Sequence, residues 1–204
     1  MANTQLRFGF KHVGTIGGSP PSFTQAHRLI LSTYSTAIGF GDPVAKPNAT
    51  SQYIVQHPGD GTTSVLGIFV GCNPTYAAVG YPQWFPGWSG AAAARDAVAY
   101  VIDDPNALFL AAAFNTAIVT AQVGYVANFT GGVAFSTGAM LSIATVDQAS
   151  ATSLPLISAG TASPLPFKIV DLYQGIGNGS DPTTAFNWVL VTFNNEIWKA
   201  PTGV

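Results

Sequence analysis

Charge is what this chain has least of. Asp, Glu, Lys and Arg make up 8% of its 204 residues, against roughly 25% in an average soluble protein. A protein that diffuses alone usually keeps more charge on its surface. The shortage therefore implies an exterior covered to a large extent by something else, chiefly other protein subunits. The seven Lys and Arg are scattered and the net charge is −2. That excludes a nucleic-acid groove, which needs clustered cations to displace counterions. With one cysteine, Cys72, no intrachain disulfide can form. Cys72 follows the apolar run 65–70 and reads as a small buried hydrophobe rather than a nucleophile. No apolar run approaches the roughly 18 residues that cross a bilayer as a helix. Residues 1–7 lack the charged start and apolar core of a signal peptide, so a cytosolic origin is expected and the sequons at Asn48, Asn128 and Asn178 read as chance matches.

Reactive constellations are also scarce. His12, His27 and His57 stand far apart with no Cys or His partner at ligand spacing, so no metal site and no cofactor is expected. There is no Gly-x-Ser-x-Gly elbow. The segment 175–180 is glycine-rich after a strand, but it lacks the Gly-Lys-Ser/Thr ending and a following helix, and reads as a hairpin loop. Acidic residues number one glutamate, Glu196, and eight aspartates, most of them beside Gly or Pro. Paired carboxylates facing a cleft, as glycosidases need, are not evident.

What is present is a β pattern. Residues 98–102 alternate β-branched and aromatic side chains with smaller ones, residues 103–106 are Asp-Asp-Pro-Asn, and an apolar run resumes at Leu108. The stretch reads as strand, tight turn, strand, with Asp103, Asp104 and Pro105 as turn residues. Neighbouring carboxylates on an extended chain point to opposite faces, so Asp103 and Asp104 read as structure rather than chemistry. Further strands are expected near residues 7–13, 27–31, 37–44, 53–56, 65–71, 125–129, 133–135, 140–146, 167–173 and 186–193. The segment 57–63 reads as a hairpin loop between two of them. Gly67 inside a strand predicts a bulge or a close backbone approach. At most a short helix is expected in 114–122. The fold class that follows is all-β: an antiparallel barrel or sandwich, jelly-roll-like or tulip-like, with long loops and very little helix. Residues 1–28 read as an extended N-terminal arm and 29–204 as one β domain.

The segment 73–90 is the most unusual local feature, with Tyr76, Tyr81, Trp84, Phe85 and Trp88 among prolines. A loop of that length inside a compact domain generally has a task. Three readings stand side by side: an interface anchor, because Trp and Tyr dominate hot spots; rings capping an open barrel end; or a platform for a sugar.

The order of landmarks carries a resemblance. Phe8 and His12 come first, then Gly41-Asp42-Pro43-Val44, the glycine-interrupted run 66–71, the aromatic loop, Tyr100 through Pro105 with Leu108 and Phe109, Val123-Gly124 with Asn128, Phe167-Lys168-Ile169-Val170, and Asn187 through Val191. In this order and spacing, from about residue 7 to residue 198, the chain resembles the head decoration, or cement, proteins of tailed bacteriophages. It departs from them at Leu110-Ala111-Ala112, where family members carry a charged residue or Gln, which leaves the register of that strand open. The resemblance implies a non-enzymatic virion protein, made in the bacterial host cytoplasm and seated on the outer capsid surface. Its partners would be the major capsid protein and neighbouring copies of itself, as a dimer or trimer, with no nucleic acid and no membrane. Candidate contact residues are Phe8, Phe10, His12, Tyr76, Tyr81, Trp84, Phe85 and Trp88. The other reading is a tail or fibre module that binds carbohydrate through Trp84, Phe85 and Trp88.

Overall fold

The computed structural model describes residues 3, 8–20, 25–60, 62–77, 80–113, 117–130, 145–146 and 165–199. The expected strand at 133–135 and the start of the one at 140–146 lie outside them. The described chain is nearly all β, in two antiparallel five-stranded sheets. Sheet I holds β1 (Lys11–Thr15), β7 (Ala107–Ala112), β12 (Trp188–Phe193), β11 (Phe167–Leu172) and β8 (Val126–Ala127), in that spatial order. Sheet II holds β2 (Ala26–Ile30), β6 (Arg95–Ile102), β5 (Gly67–Thr75), β3 (Pro43–Ala45) and β4 (Val55–Gln56). A separate two-stranded ribbon pairs β9 (Phe129–Thr130) with β10 (Thr145–Val146). The architecture is a sandwich and not a closed barrel. The only described helical piece is a 3-10 turn at Thr120–Gln122.

The side-chain alternation of the strands builds two cores rather than one. Ile68, Val70 and Ile102 pack toward sheet I, against Phe109, Phe167, Val191 and Phe193. Their neighbours on the same strands, Phe69, Ala97, Ala99 and Val101, point the other way. There they bury Ile38, Ile54 and Trp88 from the long connections. Sheet II is therefore the middle layer of three. Ala97 and Ala99, with no exposed surface, leave room for the Trp88 indole, whose N–H donates to the Tyr34 carbonyl at 2.9 Å.

The stretch 98–110 is strand, turn, strand as expected, but not a hairpin. β6 ends in sheet II and β7 begins in sheet I, so residues 103–106 form a corner between layers. Both edges of β6 are taken, by β2 and β5, and both edges of β7 by β1 and β12. The corner is held from within and from both sides. Asp104 Oδ1 accepts the Asn106 N–H at 2.9 Å, the Ile16 N–H donates to Asn106 O at 2.8 Å, and Asp103 forms an ion pair with Arg28 of β2. Both partners of that pair are partly exposed, so Asp103→Ala is expected to cost about 1–2 kcal/mol, measurable by urea unfolding.

The segment 57–63 also departs from the hairpin expectation. β4 pairs with β3, and β3 lies between β4 and β5. His57, buried, organises this connection. Its Nδ1 accepts the Gly59 N–H at 2.9 Å and its Nε2 donates to Thr63 O at 2.8 Å, which fixes a neutral tautomer, and burial lowers its pKa. Gly67 does meet a close backbone approach: a Cβ there would lie 2.5 Å from Ile102 O. The register shifts of β5 fall between Phe69 and Gly71 and between Asn73 and Thr75 instead.

Residues expected as an extended arm supply structure to both sheets. β1 pairs with β7 from Lys11 to Thr15, and β2 starts at Ala26. Asn3 is bonded to the 173–187 connection, accepting the Gly179 N–H at 2.9 Å and donating to Asp181 O at 2.8 Å.

Candidate functional site

The eight residues proposed from the sequence as partner contacts fall into three places. Phe10 is core. It stacks on Phe167 with ring centroids 4.3 Å apart and meets Phe129 edge-on, and no surface is left for a partner. Trp88 is core as well, beneath the loop layer described above. These two corrections have one cause: a large aromatic ring serves burial as readily as contact, and the sequence around it does not tell the two apart. Phe8 and His12 are half-buried. Phe8 sets its edge against Trp188 at 5.2 Å. His12 donates from Nε2 to Gly14 O at 2.9 Å and lies against Phe109. Phe8, Phe10 and His12 do converge, on a cavity of about 440 Å³ at the edge of the sandwich that also touches Phe40 and Trp188.

The aromatic loop splits. Residue 85 bridges Cys72 and residue 88 bridges Ile38, so 85–88 runs as an irregular extension of sheet II. Phe85 is half-buried with Tyr76 edge-on to it at 5.7 Å. Only Tyr81 and Trp84 stand out, at 61% and 57% exposure. The platform of Trp84, Phe85 and Trp88 is therefore not assembled as one exposed surface. Trp84 is nonetheless held. Its indole lies over Gly71, where a Cβ would come within 2.8 Å of Nε1, and Gly71 has a φ of 135° that side chains rarely adopt. A groove of about 590 Å³ is lined by Asn73, Thr75 and Val98 on the strands, Arg95 and Asp96 at the start of β6, and Gly80 and Pro82 on the loop, with none of these rings in its lining.

A third place follows the last strand, where the sequence pattern suggests a continuation through 196–198 but β12 ends at Phe193. Glu196 has no exposed surface. Its Oε2 accepts the Trp198 N–H at 3.0 Å, while Oε1 is buried without a partner. Burial pushes its carboxyl up to about 7, with the Trp198 amide opposing and the nearby Asp103 adding to the rise. Arg28 lies over the exposed Trp198 ring, 5.9 Å from its centroid, and Lys199 donates to Phe193 O at 3.0 Å. The available signal was compositional: the chain's single glutamate sits directly before Ile197 and Trp198.

No protein family, curated protein or solved structure matches this chain. The site is read from its own chemistry.

Proposed function

We propose that the chain is a capsid decoration protein that binds the outer face of a tailed-phage head and stabilises the expanded lattice. The observation that carries this reading is the surface itself. It is poor in charge, yet it displays large apolar side chains at several separate places: Val13 in β1 and Ile16 just after it, Ile176 in the β11–β12 connection, Tyr81 and Trp84, and Trp198. One such patch would suit one partner. Several suit a protein seated among neighbouring subunits of a shell, in contact with major capsid protein and with its own copies. Such a protein stabilises by linkage: a ligand that binds only the expanded lattice shifts the equilibrium toward it, and many weak contacts in one lattice add through avidity.

Mixing the purified protein with expanded and unexpanded heads of the virus that encodes it tests the reading. Binding is expected to expanded heads only, in copies proportionate to the lattice, with a higher disruption temperature. Ile176→Asp, at a wholly exposed side chain, is expected to weaken binding roughly tenfold and leave the melting temperature of the free protein unchanged. Expanded heads that take up none of the protein overturn the proposal.

A further inference from the structure

The cavity at the edge of the sandwich differs from the exposed apolar patches in having walls. Both sheets supply them. Val70 of β5 and Ile102 of β6 come from sheet II, and Leu110 of β7 and Trp188 of β12 come from sheet I. β1 and β2 are the edge strands on this side, next to β7 and β6 respectively. No pairing of β1 with β2 closes the side among the described residues. The near end of β2 is polar. Gln25, just ahead of the strand, is in the lining, and His27 sets its ring edge-on to Tyr100 at 5.1 Å. No large apolar side chain fills the gap there.

Burial separates depth from mouth. Val70, Ile102 and Leu110 are each at most 9% exposed and form the deep part. Phe8, Phe40 and Trp188 are half-buried, and Lys11 and Gln25 are exposed, which puts the polar groups at the opening. Lys11 is the one Lys, Arg, Asp or Glu in the lining, and it forms no ion pair among the described residues. His12 is committed to Gly14 O through Nε2. Trp188 Nε1 is buried without an acceptor. An unpaired cation and an unpaired N–H both call for an oxygen that carries negative charge. The rest of the lining calls for hydrocarbon.

We infer that this cavity binds one medium-chain fatty acid, with the alkyl chain against Val70, Ile102 and Leu110 and the carboxylate at the mouth beside Lys11. The volume of about 440 Å³ falls within the roughly 300–1,000 Å³ of small-molecule sites, which join an apolar wall to a few polar groups. Burying the chain supplies the affinity, and the single cation supplies the preference for an acid. A membrane surface is a poorer fit, because anionic headgroups are held by clustered Lys and Arg. None of the exposed side chains offered above as shell contacts lines the cavity, so fatty-acid binding is independent of capsid binding.

The test is titration of the full chain with decanoate, and with decanol as the neutral chain of equal length, followed by methyl and indole N–H NMR. Decanoate is expected to bind with a Kd on the order of 10 μM, more tightly than decanol, with shifts at the Val70, Ile102 and Leu110 methyls and the Trp188 indole. Lys11→Glu, at an exposed side chain, is expected to weaken decanoate roughly tenfold, to leave decanol within about twofold and to leave the urea midpoint unmoved. No shift at these methyls with about 1 mM decanoate overturns the inference. So do equal affinities for the acid and the alcohol, or a Lys11→Glu variant that binds decanoate as before. Shifts at Val13, Ile16 and Ile176 without any in the cavity mean adsorption to the surface, and overturn it too. Failure of the protein to bind heads bears on the decoration reading alone.

Discussion

Phe10→Ala is expected to lower the unfolding free energy by about 3–5 kcal/mol, a large share of the roughly 5–15 kcal/mol that holds a typical domain together. The side chain is 1% exposed. It lies flat on Phe167 and edge-on to Phe129, in an aromatic group that Phe193 extends by stacking on Phe167. Its backbone is equally fixed. The Phe10 N–H donates to Gly41 O at 3.0 Å, and a Cβ at Gly41 would fall 3.1 Å from Phe10 N. Removing the ring leaves a hole whose walls are strands of sheet I and cannot collapse cheaply. Urea unfolding of the free protein measures the loss. A dispensable arm would give a change within about 0.5 kcal/mol, and that result would show that the N-terminal segment does not belong to the sandwich. Phe8→Ala, at a half-buried ring touching Trp188, is the milder comparison.

Glu196→Gln is expected to stabilise the protein at pH 8 and to do little at pH 4. The carboxyl has a folded pKa of about 7 against an ordinary 4.5. Between those values the unfolded chain releases a proton that the folded chain retains. Stability therefore falls as pH rises from 4.5 to 7, and the whole contribution is gone above 7. The loss amounts to about 3 kcal/mol, because each tenfold change in proton affinity is worth about 1.4 kcal/mol. Glutamine keeps an oxygen for the Trp198 N–H and places a neutral amide where the unpartnered oxygen lies. Unfolding curves at several pH values check it. The wild-type slope across this window should flatten in the variant, and parallel curves for the two proteins would refute the assignment.

The β character of the chain was legible because alternation and turn residues act locally. Val98 to Ile102 and Phe167 to Leu172 announce strands by composition, and both are strands. Partner choice was not legible. Asp103, Asp104 and Pro105 specify that the chain turns, and nothing in so short a stretch says whether the next strand returns beside β6 or crosses to the other sheet. That outcome depends on β2 and β5 having filled both edges of β6, one of them from far upstream in the chain. The same limit explains β4, which pairs with β3 rather than across its own loop. Among the rings of the aromatic loop, Trp84 and Trp88 are chemically alike and close together in sequence. Their opposite fates follow from what faces them: Ala97 and Ala99 open a bed for Trp88, whereas Trp84 has only the glycine backbone of β5 beneath it.

Cys72 gives the double-faced middle sheet a practical use. The thiol lies under Trp88 with its Sγ 3.6 Å from Gly87 O, and burial pushes its pKa up to about 12. In the closed protein it is both hidden and protonated, hence inert to alkylating reagents. Each labelling event then timestamps a moment when the loop layer has lifted from its sheet. The lone sulfur is a built-in clock for the opening of that layer, readable by alkylation and mass spectrometry with no engineered residue.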